Sequence, residues 1–416
     1  MSRLDKLIEK LCPDGVEMHE LQELFITRNG YTPSKSKSEF WENGTVPWFK
    51  MEDIRANGNI LSDALQYVNE CAVKGQLFPE NSIIVATSAT VGEHALITVP
   101  SLANQRFTYL MVKPEYEDRF MPKFLYYYCY KLDEYCLQNL NQSSFASVDM
   151  KKFAKFKFPV PPLEVQREIV HILDSFTLLT AELTAELTAR KKQYEFYRDK
   201  VLSHDGIYPM KPLAELGKWS GGKTPSMSEK SFWDQGTIPW ISSKDMKSST
   251  LEDTQDHITE KAVKEASMTV YPANSIAVVT RSGILKHTFP VAYVPFETTI
   301  NQDIKMLVVN EDILPRYAFH VIQGKGNDIL VKTKKQGGTV DSLDFQKVLA
   351  YKVPVPSKDV QSKLVEVLDN FESICTDLNI GLPAEIEARQ KQYEYYRDLL
   401  LTFAETGSTL MTLLIT

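Results

Sequence analysis

The feature that most limits how this chain can fold is that almost all of it is present twice. "FWENGTVPWFKMEDI" (residues 40–54) returns as "FWDQGTIPWISSKDM" (232–246), and "GYTPS" at Gly30 returns as "GKTPS" at Gly222 with the same offset. "PENSIIVATSATVG" from Pro79 is echoed by "PANSIAVVTRSGIL" from Pro272, and "ANQRF" at Ala103 by "INQDI" at Ile300. The thirty residues that end at Phe176 are echoed by the thirty that end at Phe371, and "ARKKQYEFYRDKVL" from Ala189 returns as "ARQKQYEYYRDLLL" from Ala388. The landmarks keep one order, with a period near half of the 416 residues. That period is far too long for a solenoid, so this is a tandem duplication of a whole domain.

Within each copy the texture changes once. Short runs rich in β-branched residues, such as "SIIVAT", "TYLMV", "SIAVVT" and "IKMLVV", are punctuated by Gly, Pro, Asn and Ser, which marks a mainly β domain with some helix. After "FPVPP" or "VPVPS" the period becomes helical, because proline bars a helix upstream and permits one to start. Ile169, Ile172, Phe176, Leu179 and Leu183 step by three and four, as do Leu364, Val367, Phe371, Ile374 and Leu378, the spacing of a coiled-coil seam. A helix over Leu163–Leu202 spans roughly 60 Å, and a stripe of that length needs a partner, for which the other copy is nearest. In the second copy "NIGLPAEI" should bend or restart the helix at Gly381 and Pro383. The expected fold class is therefore α+β, with two mainly β globular domains alternating with two long α-helices paired as an antiparallel coiled coil. The expected segments are 1–160 and 204–355 for the globular domains, 161–203 and 356–403 for the helices, and 404–416 for a tail.

One stretch argues for a different activity. "GKWSGGKT", Gly217–Thr224, fits the phosphate-cradling P-loop pattern. A working P-loop follows a buried strand and opens into a helix, whereas here Pro225 follows and pushes Thr224 out of helical geometry. The matching stretch of the first copy, "LFITRNGYTPS", lacks the lysine and the first glycine altogether. The match is chance. The sequence also lacks G-x-S-x-G, an Asn-Pro-Pro-aromatic signature, a glycine-rich S-adenosylmethionine loop and metal-ligand spacings among its seven histidines. Five unpaired-pattern cysteines point to a reducing, cytoplasmic setting, and the start shows no apolar signal segment. The chain reads as a binder without catalysis and without a metal of its own.

With "GGKTPSMSEKSFWDQGTIPWISSKDM", "NSIAVVTRSGIL", "INQDIKML", "VPVPSKDVQ" and "EARQKQYEYYRDLLL", each matched in the first copy, the chain resembles the specificity (S) subunits of type I restriction–modification systems over residues 1–402. The resemblance implies that each globule is a target recognition domain reading one half of a split double-stranded DNA sequence. It implies that the helices set the gap and dock two modification (methyltransferase) subunits, with restriction (translocase and nuclease) subunits as further partners. S-adenosylmethionine, ATP and Mg would then act on those partners, with no cofactor on this chain and no membrane involved. A formal net charge of −7 weighs against DNA and leaves a rival reading open, a coiled-coil scaffold of two protein-binding modules. Against that rival, the helical tails agree at ten of fourteen positions, polar ones included, while the globules diverge widely between landmarks. Kept polar faces fit the same partner met twice; diverged globules fit two different half-sites.

Base reading and phosphate gripping call for Arg, Lys, Asn, Gln, Ser and Thr on loops. In the first globule the candidates are Arg28, Lys35, Lys37, Lys50, Ser88, Thr90, Arg106, Asn141, Gln142 and Ser143. In the second they are Lys223, Lys230, Lys244, Arg281, Ser282, Lys286, Lys332, Lys334, Lys335 and Gln336. Trp41, Trp48, Trp233 and Trp240 read as core anchors beneath these loops, and "FLYYYCY" as a packed helix. On the helices, Gln193, Tyr194, Tyr197 and Arg198, with Gln392, Tyr393, Tyr396 and Arg397, are candidates for partner binding, the tyrosines equally so for seam packing.

Overall fold

The computed structural model describes residues 2–141, 146–202, 208–335, 340–376 and 381–403. The chain divides into two compact units, 1–182 with 387–416, and 183–386. The fold is α+β, as the change of period within each copy required, and among the described residues no helix is long and apolar enough to cross a membrane.

The first unit is built on a five-stranded sheet ordered Phe25–Asn29, Phe107–Val112, Ile83–Ala86, His94–Ile97, Ile60–Leu61. Its central strand reads Ile83, Ile84, Val85, Ala86 and is buried on both faces, which a continuous apolar run permits and an alternating one does not. A smaller sheet places Val46–Phe49 between Tyr67–Val68, antiparallel, and Leu102–Ala103, parallel. The second unit repeats both. Gly217–Gly221, Ile304–Val309, Ser275–Val279 and Val291–Val294 form one sheet, and Ile238–Ile241 lies between Asp256–Ile258 and Thr299–Ile300. Trp48 and Trp240 are nearly buried, and each donates its indole N–H to a backbone carbonyl, of Tyr31 at 2.9 Å and of Lys223 at 3.1 Å. Each also packs edge-on against a second tryptophan, Trp41 or Trp233, with centroids 5.1 Å apart in both cases.

The apparent P-loop is resolved here. Gly217–Gly221 is a strand whose register runs from Gly217 opposite Val309 to Gly221 opposite Lys305. A Cβ on Gly222 would lie 1.8 Å from the Ile300 carbonyl oxygen, and one on Gly30 2.3 Å from that of Asn104. Both glycines let two backbone segments touch, a close approach that leaves no room for a phosphate.

The central helix runs unbroken over Leu163–Leu202. The distal segment is two helices, Lys358–Thr376 and Leu382–Leu401, so the chain does restart at the Gly-Leu-Pro sequence. In the first unit the opening of the central helix meets the end of the distal segment: Phe176 stacks on Tyr396 at 5.4 Å. In the second, the end of the central helix meets the first distal helix: Tyr197 stacks on Phe371 at 6.0 Å. Early residues of one segment thus meet late residues of the other, which is antiparallel order. The seam is displaced from the simple three-four stripe in the distal copy. Val367 and Ile374 are exposed, while Gln361, Leu368, Glu372 and Cys375 are buried. This helix faces the body of its own unit as well as the other helix, and the two demands rotate the buried stripe.

Two buried glutamines hold the helices to the globules. Gln166 accepts from the Met121 N–H at 2.9 Å and donates to the Arg119 and Pro161 carbonyls; Gln361 accepts from the Leu314 N–H at 2.8 Å and donates to the Asp312 and Pro356 carbonyls. Each satisfies three backbone groups that would otherwise be stranded.

Leu400, Leu401 and Phe403 are fully buried in the first unit's core with Val165, Ile169 and Leu173. Leu401→Ala should cost about 2–5 kcal/mol. Hydrogen exchange checks the location: protection of the helix Pro122–Gln138 should fall while that of the strand Ser275–Val279 holds, and an equal fall in both would contradict this packing.

Candidate nucleic-acid interface

The candidate residues of the first unit gather at two places. Lys35, Lys50 and Arg106 line one cleft of about 310 Å³, together with Thr32, Gln66 and Gln105. Lys35 lies on the loop after Gly30, Lys50 at the end of the strand Val46–Phe49, and Arg106 on the turn into Phe107–Val112, so three separate segments converge. Among the described residues none of the three cations has a carboxylate partner. The second place is a pair of loops. Ser88 bridges to Ser147, the Ala89 N–H donates to the Ala146 carbonyl, and Asn141 donates from its side chain to the Val148 carbonyl at 3.1 Å. Thr90 lies beside them, its hydroxyl buried with no hydrogen-bond partner among the described residues. Arg28 and Lys37 belong to neither group: Arg28 sits over the Phe78 ring at 5.0 Å, and Lys37 over Phe40 at 4.9 Å with Glu39 nearby. Gln142 and Ser143 lie outside the described residues.

The second unit repeats the loop pair with different side chains. Arg281 bridges to Ser342, the Ser282 N–H donates to the Asp341 carbonyl, and Lys334 bridges to Leu343 with the Lys335 N–H on the Ser342 carbonyl. Four of its cations are answered by local carboxylates. Arg281 pairs with Asp303 at 2.7 Å, Lys332 with Asp328 at 2.6 Å, Lys334 with Asp341 at 3.2 Å and Lys244 with Asp256 at 3.6 Å. Such exposed pairs are weak and exchange readily for a phosphate or base partner. Lys223, Lys230 and Lys286 are exposed and are not drawn into one cluster. Gln336 lies outside the described residues.

The helical candidates separate by burial. Tyr194 is buried, its hydroxyl 3.3 Å from His320 Nδ1, and Tyr393 packs against the first unit's core. Burial pushes both phenols well above the usual tyrosine range, so both stay neutral. Arg198 covers the Tyr194 ring at 5.5 Å, and Arg397 covers Tyr130 at 4.3 Å. Tyr197 and Tyr396 pack in the seam described above, while Gln193 and Gln392 are half-buried. Pattern reading passed over two exposed aromatics, Phe196 and Tyr395, 61% and 53% exposed at equivalent positions of the two copies. Their signal was the aromatic kept at a position outside the apolar stripe.

One group among the described residues has metal-ligand geometry, His320, Asp369 and Glu372. The Arg316 guanidinium already lies 2.5 Å from Asp369 and 2.6 Å from Glu372, where a cation would sit, and His320 Nε2 is 2.6 Å from Asp369. The corresponding place in the first unit holds Lys123 and Tyr127, both 2.7 Å from Asp174. The shared design is an acidic anchor between the helix and its globule. Burial alone would raise the Asp369 carboxyl, but the hydrogen bonds from His320 and Arg316 outweigh it and hold it below the usual carboxylate range. With its folded-state pKa below its unfolded value, Asp369 adds stability that is fully present above about pH 4 and is lost as pH falls through the folded value. Arg316→Ala should therefore lower the melting temperature at neutral pH and flatten its fall below pH 4. Parallel curves for the two proteins down to pH 3 would contradict this anchor.

The type I restriction modification DNA specificity domain matches residues 13–190 and again 208–388. The chain is 45% identical over 300 residues to the type I restriction enzyme EcoR124I/EcoR124II specificity subunit of Escherichia coli, an alignment covering 69% of this chain and 72% of that one. It is 60% identical over 240 residues to the EcoprrI specificity subunit of Escherichia coli, covering 54% of this chain and 59% of that relative. Its fold matches a chain from a structure of type I R-M complex assembly and conformational transition, at a TM-score of 0.64 with 14% identity over 94% of this chain and 98% of that chain. It also matches the HsdS subunit from Thermoanaerobacter tengcongensis, at 0.51 with 13% identity over 94% and 97%.

Proposed function

This chain belongs to the family of type I restriction–modification DNA specificity subunits, and from that premise we propose that its two globular domains, 1–160 and 204–355, each read one half of a bipartite DNA target. The helical segments 161–203 and 356–403 fix the gap between the halves and dock two modification subunits. The tail 404–416, which lies outside the described residues, is given no role. Catalysis belongs to the partners: S-adenosylmethionine serves the modification subunits, and ATP with Mg serves restriction subunits where these join. The assembly works on chromosomal DNA in the cytoplasm.

The observation that carries this reading is a frame kept twice around contents that differ. The tryptophan pair, the close-packed glycine and the buried glutamine recur at equivalent positions. The cleft beside that frame holds Lys35, Lys50 and Arg106 in the first unit, where the repeat puts Met227, Ser242 and Asp303 in the second. A scaffold holding two copies of one protein partner would keep the contents too. Two half-sites of unlike sequence require them to differ. The repeated, exposed Phe196 and Tyr395 favour the opposite demand on the helices, one partner met twice.

The central helix contains the tandem sequence Leu-Thr-Ala-Glu-Leu-Thr-Ala-Glu over 179–186. Adding one further Leu-Thr-Ala-Glu unit lengthens it by about 6 Å. Methylation mapping in cells carrying this protein and its modification subunits should show a split motif, and the lengthened variant should keep both sets of letters while widening the gap. An unchanged gap would remove the helices from that role. Deletion of the gene without loss of any methylated motif would remove the DNA reading altogether.

A further inference from the structure

The first unit's cleft has a more specific chemistry than a basic patch. Thr32 donates its hydroxyl to Gln105 Oε1, and in the second unit Thr224 donates to Gln302 Oε1 at 2.5 Å. Each carboxamide is thus held by its oxygen, and its NH2 group has no partner among the described residues. The same threonine and glutamine stand in both units, on loops locked together by the close-packed Gly30 and Gly222. The next residue is where the two diverge. Arg106 is exposed, has no acidic partner among the described residues and lines the cleft. Asp303 takes its place in the second unit and is bound by Arg281 at 2.7 Å. The surroundings change in the same sense. Lys35 and Lys50 of the first unit correspond to Met227 and Ser242, and Gln66, whose carbonyl receives the Trp48 N–H, corresponds to Asp256, which lies opposite Trp240.

Glu52 is the one carboxylate in its lining; around it the first cleft presents mostly hydrogen-bond donors, namely a guanidinium, two ammonium groups and a carboxamide NH2. Its complement is an edge made of acceptors. In the major groove that edge belongs to guanine, whose N7 and O6 are both acceptors and match the fork of an arginine. Building on the half-site reading above, we propose that Arg106 is a specificity-determining residue that reads a guanine in the half-site taken by the first domain, with Lys35 gripping the adjoining phosphate. The second domain, with Asp303 and Arg281 as a mutually satisfied pair in the same place, reads a different base there.

The test uses the full chain with its modification subunits in cells free of other DNA methylation, with genome-wide mapping of methylated sites. Arg106→Ala should relax one guanine position in one half of the motif, lowering discrimination there by about 10- to 100-fold. The other half-motif should stay intact, which also shows that the variant folds and assembles. Lys35→Ala should lower methylation evenly at all sites without changing the motif. An unchanged motif in Arg106→Ala, or an even loss at every site, would overturn the proposal and leave the bipartite reading standing. A wild-type map without a split motif would overturn both.

Discussion

Two reciprocal aromatic contacts hold the architecture. Phe176 of the first copy stacks on Tyr396 of the second, and Tyr197 of the first stacks on Phe371 of the second. The residues exchanged are equivalent under the internal duplication, which is the pattern of an isologous pairing, where i meets j and j meets i. Each unit is closed by the helical tail of the other copy. Tyr194 and Leu202 are buried in the core of the second unit, Leu400 and Leu401 in that of the first. Neither copy buries its own tail, so neither completes its core from its own residues. The buried glutamines and the Asp174 and Asp369 anchors then fix how each helix enters its globule.

That division of labour accounts for where the copies agree and where they differ. Seam residues must suit a partner that is itself a copy, so a change in a residue kept in both copies is felt at both contacts. Cleft residues answer only to what enters the cleft. The overall charge of −7 gives no sign of the cationic cleft in the first unit. Among the described residues, Lys35, Lys50 and Arg106 of the first unit have no carboxylate partner, while four cations of the second pair with Asp303, Asp328, Asp341 and Asp256. Net charge averages over that contrast; placement preserves it.

Much of this was legible in the residues. Duplication, the unbroken central helix, the restart near Gly381 and the false P-loop all follow from patterns that local physics imposes, namely periodicity, proline geometry and comparison of one copy with the other. The tryptophans were legible as anchors because they recur inside apolar surroundings. The rotated seam was not, because Val367 and Ile374 obey the stripe but face outward once the helix also packs on its own unit. Gln166 and Gln361 look like surface residues in any single copy; their recurrence after a valine, Val165 and Val360, was the only signal they carried. The convergence of Lys35 and Lys50 with Arg106, more than fifty positions further on, comes through strand pairing, which composition and spacing do not encode. Ion pairs such as Arg281 with Asp303 are of the same kind.

In the function proposed above, two equivalent DNA-reading domains are mounted on a reciprocal helical pair. Replacing residues 1–160 by a second copy of residues 204–355 tests it most directly, with the methylated sequence of the assembled complex as the measurement. Reciprocal mounting predicts an inverted repeat of the second half-site. A motif that retains two unlike halves, or a direct repeat, would contradict it.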